Sequence, residues 1–347
     1  MINLKFFIRL IILFIPCCIL QANEFDFEGR WILSLQDKKR TLVGLLEIEK
    51  NDQTWEAYLE GGPVEINIKK NKIEILADSR DVRGFVFNRR LTGNLINKQI
   101  EGRYQQEGAA AQKEEPGPWK AVREQEYKST ENLSKIIKPE AISGIWTATQ
   151  ELDFRKYSMS LTQEGKDWLE RYLPYYDQPD VRCTSIGLPA LVTYSFPFEI
   201  IYSNGRYTFL YEYQSKVRRI WTNTESPSSF MPPSRMGFSR GIWEDNELVV
   251  KTQLLEKTVR DFRGELISEN ATIEERYSLS DDGQTLTALI IVDDPDSYQR
   301  QPIRRRQWVR NINTEIFPYS CDPDSFYVPM YEDGEMQMYI DRSPLRF

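Results

Sequence analysis

The pair Asn204-Gly205 is the strongest constraint on the fold of this chain, because it separates two alternating β-rich runs by only two residues. A type I′ turn needs positive φ at both central residues, which Asn and Gly tolerate. A loop of this length fixes the register of the two runs. It predicts three facing pairs: Ser203 with Arg206, Ile201 with Thr208, and Glu199 with Leu210.

A third β-rich run follows, and its polar residues are predicted to share a face with the first two. If Gln214-Ser215 closes the second hairpin, Arg219 also lies opposite Leu210, while Glu212 lies diagonal to Glu199. Side chains then divide between two faces, because they alternate along a strand. The polar face is predicted to hold Glu199, Glu212, Arg219 and Trp221. The other face is predicted to hold Phe198, Ile200, Tyr202, Tyr207, Phe209 and Tyr211.

The whole chain shows the same pattern of short β-rich runs between turns. Eight such runs lie between residues 25 and 123, without a long helical period, and this is typical of a small antiparallel barrel. At Ser143 the pattern begins again, with about nine or ten runs in meander order and one short helix at 162–173. The predicted fold class is therefore all-β, with two antiparallel barrels of which the second is larger.

Each predicted barrel opens with Gly-x-Trp, at Gly29-Arg30-Trp31 and Gly144-Ile145-Trp146. This opening is similar to the signature of lipocalin-type barrels, in which the Trp closes one end beneath a basic side chain of the last strand. The resemblance implies structural roles for Trp31 and Trp146. The basic residues available to cover them are Lys120 or Arg123 in the first barrel, and Arg304, Arg305, Arg306 or Arg310 in the second.

The N-terminus predicts export. Lys5 and Arg9 precede an apolar run that ends before Ala22, the pattern of a secretory signal peptide over residues 1–22. A lipidated Cys17 or Cys18 is the alternative, and it stays open. We expect a periplasmic or secreted bacterial protein with no stable membrane span, because no later stretch has about 20 apolar residues. The predicted segments that follow are barrel 23–123, linker 124–142, barrel 143–315 and tail 316–347.

Charge and residue usage exclude several classes of function. The formal net charge is −7, and it becomes −9 without Lys5 and Arg9, which argues against nucleic acid as a partner. The chain has no histidine, so it cannot use imidazole as a base or metal ligand. After removal of the signal peptide only Cys183 and Cys321 are left, which predicts one disulfide, with two unpaired thiols as the alternative. No cofactor and no metal site is predicted.

A more specific resemblance covers about residues 140–330. The blocks are RCTSIGLP, PFEIIYSNGRYTFLYEYQSKVRRIW, GFSRGIWEDNELVVKT and VDDPDSYQR, followed by a Cys in YSCDPDSFY. They resemble a family of exported bacterial proteins whose function is uncharacterised. The resemblance implies a lipocalin-like barrel and export, but no activity. This chain has Asp322 and Pro323 where the family usually has a His and a Glu after the Cys.

The polar face supports three hypotheses. In the first, the second barrel binds a small amphipathic ligand, which Glu199, Glu212, Arg219 and Trp221 orient. In the second, Glu199 and Glu212 have carboxyls about 5 to 9 Å apart and act as the acid and base of a histidine-free hydrolase. In the third, the charges only stabilise a structural or interaction module of the cell envelope. Ligand binding is the preferred hypothesis, and the oligomeric state stays open.

A run of carboxylates, Asp293, Asp294 and Asp296 with Ser297, offers oxygen ligands of the kind that calcium takes. Its spacing does not fit an EF-hand. We therefore interpret it as a solvated turn around Pro295.

Overall fold

The computed structural model describes residues 27–37, 40–52, 54–80, 86–107, 116–124, 138–149, 159–224 and 226–342. The predicted signal peptide, with Cys17 and Cys18, and most of the predicted linker lie outside these ranges. The described residues form two closed β-barrels, so the predicted fold class is confirmed.

The first barrel has eight antiparallel strands in sequential order. It closes because β1 pairs with β2 on one side and with β8 on the other. All eight strands predicted from the sequence are present. Their bounds are β1 Gly29–Asp37, β2 Arg40–Asn51, β3 Thr54–Leu59, β4 Gly62–Lys69, β5 Lys72–Arg80, β6 Val86–Ile96, β7 Gln99–Glu107 and β8 Gly117–Arg123.

The second barrel has nine strands, and β9 closes it by pairing with β10 and β19. Their bounds are β9 Gly144–Ala148, β10 Phe198–Ser203, β11 Arg206–Tyr211, β12 Lys216–Trp221, β13 Phe238–Glu244, β14 Glu247–Gln253, β17 Thr272–Leu279, β18 Thr285–Asp293 and β19 Ile303–Arg310. The strands β15 (Thr258–Val259) and β16 (Leu266–Ile267) form a separate hairpin.

The prediction of a purely antiparallel meander is wrong at one place in the second barrel. Strands β12 and β13 pair in parallel, with Trp221 beside Arg240. The connection 222–237 returns the chain to the end of the barrel at which β12 began, so the next strand runs in the same direction.

The predicted helix is confirmed as Gln163–Arg171, and the Thr162 hydroxyl accepts a hydrogen bond from the Gly165 N–H at 3.1 Å. Further helices are short: Pro174–Asp177, Ala190–Thr193, Asp324–Glu332 and Met336–Asp341, with 3₁₀ turns at Pro139–Ile142, Pro179–Arg182 and Tyr213–Ser215. The predicted disulfide Cys183–Cys321 is also present and ties the tail to the second barrel.

Both barrels are closed at one end by the same arrangement of Trp and Arg. The Arg123 guanidinium lies 4.4 Å from the ring centre of Trp31, and Arg310 lies at the same distance from Trp146. In each barrel the indole N–H donates to the carbonyl four residues earlier, at 2.8 Å and 2.9 Å. The cation–π cover predicted for both Trp residues is therefore confirmed, and the sequence alternatives are resolved to Arg123 and Arg310.

The two barrels touch through the segment 300–304, which comprises the end of the connection from β18 and the first two residues of β19. The Arg300 guanidinium donates to Glu49 at 2.7 Å and lies 3.7 Å from the ring centre of Tyr58. The Ile303 N–H donates to the Glu60 carbonyl at 3.2 Å. The turn between β3 and β4 of the first barrel thus packs on the second.

Candidate ligand-binding site

The first predicted hairpin has the predicted register. Glu199 faces Leu210, Ile201 faces Thr208 and Ser203 faces Arg206. The aromatic face points into the barrel, where Phe198, Ile200, Tyr207, Phe209 and Tyr211 are buried and Tyr202 is half-buried. The polar face therefore points outward.

The register of the second hairpin differs from the predicted register by two residues. Arg219 faces Thr208 rather than Leu210, because a 3₁₀ turn at Tyr213–Ser215 makes the loop longer than two residues. An even shift leaves each side chain on the same face, since side chains alternate with a period of two. Arg219 and Trp221 are consequently still on the outer face, but Arg219 has moved away from Glu199.

Glu212 does not join Glu199 in a pair of free carboxylates. Its backbone is helical, with φ −59° and ψ −46°, so it no longer extends the strand. Its carboxylate accepts a hydrogen bond from the Phe317 N–H at 3.1 Å and thereby anchors the tail. Glu199 stands on β10, half-buried, two strands away from Arg219.

The interior of the second barrel is filled by the protein's own side chains. Trp146, Trp308, Tyr207, Tyr277 and Phe209 are among its largest fully buried residues. Among them Arg218 donates to Glu275 at 3.0 Å, and Ser239 and Thr252 accept its other hydrogen bonds. The larger candidate site lies on the outside of the barrel.

An open groove of about 530 Å³ lies on the outer face of β13, β14, β17 and β18. We call it the outer groove. Its volume is in the range of small-molecule sites, which is roughly 300 to 1,000 Å³. Its outward-facing lining comprises Phe238, Arg240, Lys251, Gln253, Thr272, Glu274, Ile291, Asp293 and Gln301.

Two cations face each other directly in this groove. Arg240 and Lys251 are cross-strand partners on β13 and β14. Like charges directly opposite each other destabilise a sheet. Lys251 Nζ lies 3.5 Å from a Glu274 oxygen, but its side chain is 72% exposed, so this ion pair is solvated. Within the described ranges, no carboxylate pairs with Arg240.

An aromatic side chain predicted from the sequence borders the cations. Trp221 lies beside Arg240 through the parallel pairing of β12 with β13. The Arg206 guanidinium lies 5.1 Å from the centre of the Trp221 ring. Arg219 is exposed on the same face, one residue before the paired part of β12. The outer face next to this side of the groove is therefore cationic and carries one indole.

The opposite side of the outer groove is acidic. Glu274 on β17 and Asp293 on β18 lie there, and the Asp293 carboxylate accepts a hydrogen bond from the Gln301 side chain at 3.0 Å. A bound molecule would meet cations at one end of the groove and hydrogen-bond acceptors at the other.

Arg240 and Lys251 were not predicted as site residues, although the sequence carries a signal for their pairing. The turn Asp245-Asn246 is a two-residue loop, so Glu244 faces Glu247 and Arg240 faces Lys251. Their position beside Trp221 had no such signal, because it depends on the parallel pairing.

The Asp293 to Ser297 segment is not a solvated turn. Asp294 is buried, and its carboxylate accepts hydrogen bonds from the Ser268 N–H and hydroxyl at 2.8 and 2.7 Å. Asp296 accepts from Asn270 at 2.8 Å. These carboxylates join two loops, and no group of three potential metal ligands occurs in the part of the chain that the structure describes.

A cluster of buried charges lies at the end of the second barrel away from Trp146. It comprises Glu60 from the first barrel with Arg260, Asp261, Glu265, Arg304 and Arg306 from the second. Burial, aided by Arg304, lowers the pKa of Arg306 to about 9. Arg260 pairs with Glu265 and Asp261, and Arg304 lies 3.5 Å from Glu60. The cavity beside these residues has a volume of only about 20 Å³, room for about one water.

Comparisons with known proteins give no function. No protein-family model matches this chain, and no curated protein matches it. One similar solved structure is a Bacteroides fragilis protein described as a putative outer membrane protein, with 9% identity and a TM-score of 0.21, covering 82% of this chain and 97% of that one. Another is a Nostoc punctiforme protein of unknown function from the DUF3598 family, with 9% identity and a TM-score of 0.23, covering 83% and 97%. Such low TM-scores carry no weight for fold or function.

Proposed function

We propose that this chain is an exported bacterial binding protein that holds a small amphipathic anion in the outer groove of its second barrel. The observation that carries the proposal is the direct pairing of Arg240 with Lys251. Such a pair is unfavourable by itself, and an anion between the two cations would remove the repulsion.

The neighbouring side chains suit the rest of such a ligand. Phe238 lines the groove, and the half-buried Trp221 lies beside Arg240, so both offer aromatic surface to a planar or apolar part. The exposed Arg219 adds positive charge on the same outer face. Glu274, Asp293 and Gln301 offer acceptors to hydroxyl or ammonium groups at the far end. We therefore expect an anionic group, a planar or apolar body and hydrogen-bond donors in one molecule.

Export is supported by the N-terminal pattern and by the disulfide Cys183–Cys321, which persists in an oxidising compartment. None of the helices in the described ranges has the length and apolar composition of a bilayer-spanning helix. We also propose that this chain belongs to the exported family that residues 140–330 resemble.

The hydrolase hypothesis receives less support from the geometry. It needs two carboxylates that converge on one substrate, whereas the Glu212 carboxylate binds the Phe317 N–H of the tail. Glu199 alone does not supply both an acid and a base.

The experiment is calorimetric titration of the mature protein with O-phosphotyrosine, which has a phosphate, a planar ring and an ammonium group. Tyrosine, which lacks the phosphate, is the control ligand. We expect saturable binding of the phosphorylated probe alone, weakened at least tenfold by Arg240→Gln and weakened by added salt. The matched control variant is Arg103→Gln, an exposed arginine of the first barrel.

Two results would overturn the proposal. One is the absence of saturable binding at millimolar probe. The other is equal affinity of the wild-type protein and Arg240→Gln. Native mass spectrometry of the protein from the extracytoplasmic fraction, before and after denaturation, then identifies the natural ligand by its added mass.

A further inference from the structure

We infer that the first barrel positions one wall of the outer groove, and that Gln301 is the residue through which it acts. The inference rests on the proposed function and assigns a role to the first barrel. It follows from contacts on both sides of Gln301 within the segment 300–304.

The first barrel fixes the residue before Gln301. The Arg300 guanidinium donates to Glu49 at 2.7 Å and to Glu47 at 3.4 Å, and it stacks on Tyr58 at 3.7 Å. All three partners belong to β2 and β3 of the first barrel. A planar guanidinium with two carboxylates and a ring face has little freedom to move.

The first barrel also fixes the residues after Gln301. The Ile303 N–H donates to the Glu60 carbonyl at 3.2 Å, and the Arg304 guanidinium lies 3.5 Å from the Glu60 carboxylate. The backbone packs closely here as well, because a Cβ added to Gly61 would lie 2.8 Å from the Gln301 carbonyl oxygen. Gly61 has φ +86°, a conformation that favours glycine.

Gln301 itself faces away from this contact and into the outer groove. Its side chain lines the groove and donates to Asp293, another lining residue, at 3.0 Å. The segment that the first barrel holds on both sides therefore presents one side chain to the ligand site. Displacing the first barrel would move Gln301 relative to Asp293 and Arg240, which are held in β18 and β13 of the second barrel.

The test is a double-mutant cycle with O-phosphotyrosine as probe. Glu49→Gln removes the negative charge from the shortest hydrogen bond of Arg300, and Gly61→Ala disturbs the backbone contact independently. We expect each variant to weaken probe binding by about three- to tenfold, the amount that one misplaced hydrogen bond costs. In a Gln301→Ala background the same two changes should have no further effect, because the residue through which they act is gone.

Controls separate this inference from the proposed function. Glu101→Gln, an exposed change on β7 of the first barrel, should leave probe affinity unaltered in both backgrounds. If Glu49→Gln and Gly61→Ala leave affinity unchanged, or weaken it equally with and without Gln301, the positioning role is wrong. If Arg240→Gln weakens binding of the probe while Glu49→Gln and Gly61→Ala do not, the proposed function stands although the positioning role has failed.

Discussion

Arg218 and Glu275 form a two-point ion pair inside the second barrel, where each side chain is only 1% exposed. Their hydrogen-bond partners Ser239, Thr252 and Tyr277 are also buried: Ser239 and Thr252 accept from Arg218, and the Tyr277 hydroxyl donates to Glu275 at 2.8 Å. A buried charge pair of this kind is tolerated because its hydrogen bonds are satisfied.

Breaking this pair from one side should destabilise the protein strongly. Glu275→Gln leaves the Arg218 guanidinium buried without its counter-charge, and we expect a loss of about 3 to 5 kcal/mol in the free energy of unfolding. The measurement is denaturation by urea followed by tryptophan fluorescence. Replacing both partners with apolar residues, Arg218→Met with Glu275→Leu, should restore much of the loss. Arg219→Gln on the exposed face is the control and should change stability by less than about 0.5 kcal/mol.

The closed end of each barrel should depend on its glycine. A Cβ at Gly144 would lie 2.6 Å from the Arg310 guanidinium, and φ there is +132°. Gly144→Ala should therefore lower the free energy of unfolding by about 1 to 3 kcal/mol. The loss combines backbone strain with displacement of Arg310 from Trp146. Gly283→Ala is the comparison, since it has φ +70° but no atom within 4 Å of the added Cβ. If both variants lose equal stability in urea denaturation, the close approach of Arg310 to Gly144 adds nothing to the cost of the substitution.

Stability should depend on pH through Glu60. Burial raises the pKa of Glu60 above its ordinary value of 4.5, and Arg304 and Arg306 oppose this rise only in part. The folded protein therefore favours the protonated carboxyl, so this contribution to stability is fully present below about pH 4.5 and is lost as pH rises through the folded pKa. Relative to wild type, Glu60→Gln should gain thermal stability between pH 4 and pH 8. A relative loss over that range would mean that the arginines dominate and the pKa of Glu60 is lowered.

The outer groove should show opposite effects on stability and binding. Arg240→Gln removes the repulsion from Lys251, and we expect the free energy of unfolding to rise by about 0.2 to 1 kcal/mol. The same variant should lose affinity for O-phosphotyrosine, as proposed above. Urea denaturation at low salt gives the first quantity, and the gain should shrink at high salt, where the repulsion is screened. A destabilised Arg240→Gln would show that Arg240 has a structural role.

The sequence by itself determined the local strand pairing, and it indicated two features that join distant residues. Alternation of apolar and polar residues placed Phe198 and Phe209 inside, and Asn204-Gly205 set the pairing of Glu199 with Leu210, because a two-residue turn leaves one register. The repeated Gly-x-Trp opening, through its resemblance to lipocalin-type barrels, indicated a basic cover over each Trp, and the structure decided that Arg123 and Arg310 supply it. The even cysteine count indicated the disulfide Cys183–Cys321.

Only the tertiary structure decided what the polar face can do. The 3₁₀ turn at Tyr213–Ser215 shifts the register of Arg219 by two residues. The Phe317 N–H of the tail donates a hydrogen bond to the Glu212 carboxylate. The parallel pairing of β12 with β13 brought Trp221 beside Arg240, and packing of the first barrel brought Gly61 against Gln301. These contacts join residues separated by long connections. Local turn chemistry and alternation do not determine such contacts, because they depend on how the complete barrels close and pack.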